Sequence, residues 1–104
     1  MHPRIYKAVG AARALGSDLG LETTFSDDGG EVATVCAVME VREGLCVAEM
    51  VTFSLQDGDL VMRAQLQGLT VPLSEIAELE TYHRAVVALT AWACAARRLA
   101  RRLP

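Results

Sequence analysis

The chain has 104 residues, a net charge of −3 and 52% hydrophobic residues. That length makes one core and a single domain over residues 1–104, and a mean hydropathy of +0.27 excludes a disordered chain. Three cysteines, Cys36, Cys46 and Cys94, without CxxC spacing exclude a disulfide scaffold and a zinc framework.

A domain this small has too much surface to hide so much apolar matter within itself. The uncharged run Ala85 to Ala96 is too short for a membrane span. Arg4, Lys7 and Arg13 break the segment Met1 to Leu15, which therefore does not read as a signal peptide. The cytoplasm is the expected compartment. Charge is segregated: +3 over residues 1–16, −8 over 17–73 and +2 over 74–104. Nine of the ten basic residues are arginine, as a GC-rich genome would produce.

Pro3 suits the first turn of a helix, and Ile5, Ala8, Val9, Ala12 and Leu15 follow at helical spacing. Gly16 is the expected stop, and Gly10 inside the helix costs about 1 kcal/mol relative to alanine. Leu21 to Ser26 reads as a strand closed by the turn cluster Asp27-Asp28-Gly29-Gly30. Val32 to Val41 is apolar on both faces, which places it centrally in a sheet or under cover on both sides.

Arg42-Glu43-Gly44 supplies a hairpin turn. That turn sets Cys36 opposite Met50 or Val51, and Cys46 opposite Glu40 or Val41. The two thiols then sit roughly 13 Å apart along the strands and cannot bond. Leu45 to Gln56 places Leu45, Val47, Val51, Phe53 and Leu55 on one face, and Glu49 falls among them, where a β-bulge would re-aim it. Asp57-Gly58 is a two-residue hairpin signal leading into Leu60 to Gln67. Pro72 ends that segment, and Ser74 is the expected N-cap of a helix from Glu75 to Arg102, with acids at its start and arginines at its end.

The expected fold is therefore α+β: an N-terminal helix, a four-stranded antiparallel β-meander, and a long C-terminal helix packed on one sheet face. That last helix carries two apolar stripes. Ile76, Leu79, Tyr82, Val86, Thr90 and Ala93 form the first, which is assigned to the sheet. Tyr82, Ala85, Leu89, Trp92, Ala96, Leu99 and Leu103 form the second, a 3-4 spaced seam about 120° away. Either the N-terminal helix covers the second seam, or Leu89, Trp92, Ala96, Leu99 and Leu103 meet a second copy across a two-fold axis. Trp92 itself reads as a core residue.

No GxGxxG, Walker, HExxH or GxSxG pattern occurs, so no cofactor, metal ligand or catalytic residue is assigned. The polar candidates are Glu40 and Glu49 on adjacent strands, able to form a carboxylate pair, and His83 on the last helix. Asp27, Asp28, Asp57 and Asp59 lie in turns that use aspartate for backbone hydrogen bonds. The tail Arg97-Arg98-Leu99-Ala100-Arg101-Arg102 raises nucleic acid, but the acidic sheet would repel phosphate and no aromatic platform accompanies it.

A helix, antiparallel strands and an amphipathic C-terminal helix in a small acidic chain are similar in architecture to bacterial type III secretion chaperones. That resemblance implies a protein binder, and the basic C-terminus departs from it. The leading expectation is a non-catalytic protein-interaction module, a homodimer or the partner of another protein. The alternative is a small-molecule-binding or enzymatic α+β domain with its pocket between sheet and helices, using Glu40, Glu49 or His83.

Overall fold

The computed structural model describes residues 1–67 and 75–103. Its elements are α1 (Pro3–Asp18), β1 (Glu22–Asp27), β2 (Val32–Arg42), β3 (Leu45–Gln56), β4 (Asp59–Gln67) and α2 (Ile76–Ala100). The strands form one antiparallel sheet in the order β1-β2-β3-β4, the expected meander. Pro72 and Ser74, the expected stop and N-cap, lie outside the described residues.

The buried side chains of Ala33, Val35 and Ala37 on β2 and Val47, Val51 and Phe53 on β3 form one core with Ile5, Ala8, Val9 and Ala12 of α1. Ala85, Leu89, Trp92, Ala93 and Ala96 of α2 complete it. Both helices therefore lie on the same face of the sheet, and the fold has two layers. β2 is central, as its apolar character on both sides requires, but its second face is half-buried without a helix above it.

Cys36 pairs with Met50 and Glu40 with Cys46, the register that the Arg42-Glu43-Gly44 turn implies. Asp57 and Gly58 both have positive φ, 53° and 84°, which is the twist a two-residue hairpin needs between Gln56 and Asp59.

Two local expectations need correction. Gly16 does not end α1. It lies within the helix and is buried, and a Cβ there would come 2.6 Å from the Thr23 methyl and 3.4 Å from Trp92 Nε1. The stop is Gly20, with φ 72°. Around it, Leu21 N–H donates to Gly16 O and Gly20 N–H to Ser17 O, the paired bonds of a Schellman ending. The bulge expected near Glu49 lies instead between Glu40 and Arg42, beside the hairpin turn. Glu49 keeps regular pairing with Ala37 and Leu66 and points into the core face.

Candidate interaction surface

α2 crosses the sheet from the β2–β3 hairpin to the β3–β4 hairpin. At its start, Arg42 Nη1 lies 3.3 Å from Glu78 Oε1. At its end, Arg97, Ala100 and Arg101 sit beside Leu60 and Met62. α1 runs alongside it, and the Trp92 indole Nε1 donates to Ala12 O at 2.8 Å.

Of the two alternatives for the second stripe, the structure takes the first. Ala85, Leu89, Trp92 and Ala96 are buried where α1, α2 and the sheet meet, while Leu99 and Leu103 are half-buried at the end of the helix. In the single chain, Leu89, Trp92 and Ala96 offer no surface to a second copy.

The first stripe was assigned to the sheet, and here the structure differs. Ala93 is buried and Tyr82 and Val86 are half-buried, but Ile76, Leu79 and Thr90 are exposed. The physical reason is relative area. Leu89 and Trp92 remove far more apolar surface from water than Thr90 and Ala93 on the same turns, so the helix rotates to bury them.

The three polar candidates are not brought together. Glu40 is exposed on the outer sheet face, where its Oε1 accepts from Gly44 N–H at 3.0 Å and ties the hairpin turn. Glu49 faces the opposite side of the sheet and is only 5% exposed. Its Oε2 is buried without a hydrogen-bond partner, and burial raises its pKa. His83 is exposed on α2, on an open patch of that one helix shared with Ile76, Leu79, Glu80 and Arg84. A carboxylate pair needs both groups on one face; here the sheet separates them.

The arginine tail shares its end of the molecule with acidic turns. Arg4 Nη1 donates to Gly58 O and His2 N–H to Gly30 O, so the β1–β2 and β3–β4 turns both lie against the start of α1. Asp27, Asp28, Glu31, Asp57 and Asp59 belong to those turns, and Asp27 Oδ1 accepts from Gly30 N–H at 3.0 Å. Phosphate approaching Arg97 and Arg101 meets that acidic rim.

Sequence reasoning missed a surface on the other flank. β1 is an edge strand, and on its core-facing row Thr23 opposes Ala37 and Phe25 opposes Val35. Phe25 is nevertheless 47% exposed, at the open margin between α1 and the edge strand. The Arg13 guanidinium lies 4.9 Å from the Phe25 ring centre, a cation–π contact. Between helix and strand opens a cavity of about 290 Å³ lined by Met1, Tyr6, Val9, Gly10, Arg13 and Phe25, with Tyr6 69% exposed. The signal was present in the sequence: Tyr6 is an aromatic residue off the apolar face of α1.

Among the described residues no cluster of three or more potential metal ligands occurs. No described helix is long and apolar enough to cross a membrane. No protein-family model matches the chain, and neither curated proteins nor solved structures give a significant match.

Proposed function

We propose that this protein is a non-catalytic protein-interaction module, homodimeric, that holds an extended segment of another polypeptide along the edge strand β1. One observation carries the reading: an apolar cavity, with Tyr6 and Phe25 exposed in it, opens directly beside a sheet edge. An edge strand presents backbone donors and acceptors that an added strand can satisfy, and an adjoining pocket gives that strand's side chains somewhere to go. Arg13, already fixed against Phe25, favours an acidic or neutral segment over a basic one.

The enzymatic alternative would have to work without joining Glu40, Glu49 and His83, which occupy three separate surroundings. A photo-crosslinking side chain placed at Phe25 in the native cell tests the proposal. It is expected to capture a polypeptide, and the same side chain at Gln65 on the opposite edge strand is not. Equal capture at both positions, or capture at neither, would rule the β1 edge out.

A further inference from the structure

One exposed side of α2 carries large apolar residues set among polar and charged ones. Ile76 is 76% exposed, Leu79 47% and Val87 54%. Ile76, Glu80, His83, Val87, Thr90, Cys94, Arg97 and Arg101 follow one another at alternating spacings of four and three. All the described positions of this row are exposed, and it lies about 180° round the helix from Leu89 and Trp92 at 100° per residue. That spacing is the one by which two helices pack along their length at a crossing angle near 20°.

We propose that a second copy of this chain covers this face, the two α2 helices packing antiparallel about a two-fold axis at Val87. The inference rests on the homodimer reading above and gives it a surface and an orientation.

Charge selects both the occupant and the direction. The row and its flanks are acidic at the start, with Glu75 and Glu80, and basic at the end, with Arg97, Arg98 and Arg101. With Val87 opposite its own copy, Ile76 meets Arg98 and Glu80 meets Cys94. Glu80 then lies within one turn of the partner's Arg97, and Glu75 beside the partner's Arg98. The two-fold repeats each contact. Parallel pairing would instead set arginines against arginines and glutamates against glutamates.

Antiparallel pairing also opposes the two helix dipoles favourably. Ile76 packs on the alkyl stem of the partner's Arg98, and Val87 on its own copy. The two sheets end up on the outside of the assembly, so the β1 edges and the bare sheet faces stay open. One helix pair is a small interface, below about 1,200 Å², so dimerisation is expected at micromolar rather than nanomolar concentration.

Light scattering on the intact protein across that range, combined with cysteine crosslinking, decides the matter. A Cys36→Ala/Cys46→Ser/Cys94→Ser/Val87→Cys chain is expected to form an intermolecular disulfide under mild oxidation. A Cys36→Ala/Cys46→Ser chain, keeping Cys94 alone, is not, because antiparallel copies hold the two Cys94 thiols about 21 Å apart along the axis at 1.5 Å per residue. Arg97→Glu/Arg98→Glu is expected to raise the dimer dissociation constant about tenfold. Adding Glu75→Arg/Glu80→Arg should restore it.

A monomer at every concentration overturns the homodimer reading together with this inference. A dimer in which Val87→Cys does not crosslink overturns this inference alone. A dimer that also crosslinks through Cys94 is parallel, and overturns the orientation proposed. Failure of the four-fold charge exchange to restore binding overturns the charge pairing.

Discussion

Both sides of α2 carry large apolar residues, and these meet opposite fates. On the inner side Ala85, Leu89, Trp92 and Ala96 are buried; on the outer side Ile76, Leu79 and Val87 face solvent. What separates them is not hydrophobicity alone but the company available. Trp92 finds a carbonyl acceptor on α1 and Leu89 finds the sheet, whereas the outer residues find no partner among the described residues. Burial in a small domain is a competition between faces, and the largest side chains decide it.

The largest effect is expected at Trp92. Trp92→Ala removes a fully buried ring and its hydrogen bond, and is expected to cost about 3–5 kcal/mol in denaturant unfolding. That is much of the stability such a domain has. A loss under about 1 kcal/mol would mean that α2 does not sit on α1 as described.

Gly16→Ala probes the same contact from the other helix. Its Cβ would overlap the Thr23 methyl, at 2.6 Å, and crowd Trp92. Overpacking of about 1–3 kcal/mol outweighs the roughly 1 kcal/mol that alanine gains in helix propensity. The variant should unfold at lower denaturant, and Thr23→Ser, which removes the offending methyl, should recover most of the loss.

Glu49 is the polar exception on the buried side of the sheet. Burial raises its pKa above that of the unfolded chain, so the folded state favours the protonated form. Its favourable contribution is full below the ordinary glutamate value near 4.3, and is lost as pH rises through the raised folded value. Glu49→Gln is therefore expected to stabilise the protein at pH 7 by about 1 kcal/mol, with the advantage fading as pH falls through the raised folded value and gone below about 4.3. Unfolding midpoints of the two proteins at several pH values would show it; a difference that grows toward acid contradicts the sign.

The smallest effect is expected on the outer side. Val87→Asp, at a concentration where the protein is monomeric, should change stability by no more than about 0.5 kcal/mol. A large loss there would place Val87 inside the fold and erase the contrast between the two sides.

Much of this architecture was legible in the residues. The 3.6-residue and two-residue periods located both helices and all four strands, and Asp57-Gly58 and the Gly44 turn fixed two hairpins and their register. The site was less legible. Phe25 looked like an ordinary strand residue, because its exposure depends on the open margin between α1 and the edge strand. Glu40 and Glu49 lie on adjacent strands, but the regular pairing of Glu40 with Cys46 and Glu49 with Ala37 points them to opposite faces, which adjacency of strands alone does not show. Gly16 looked like a helix stop, since nothing local announces that Thr23 and Trp92 will close over it.

The sequence by itself determined the inventory of this protein: one α+β domain, an antiparallel meander, and a final helix with more apolar faces than one sheet can use. These follow from short-range rules, since turn residues and side-chain periodicity act over a few positions. Only the tertiary structure decided which face of α2 turns inward, that both helices share one side of the sheet, and that Glu49 is buried while Glu40 is not. Those outcomes depend on which distant surfaces compete for the same apolar contact, and no local pattern records the result of that competition.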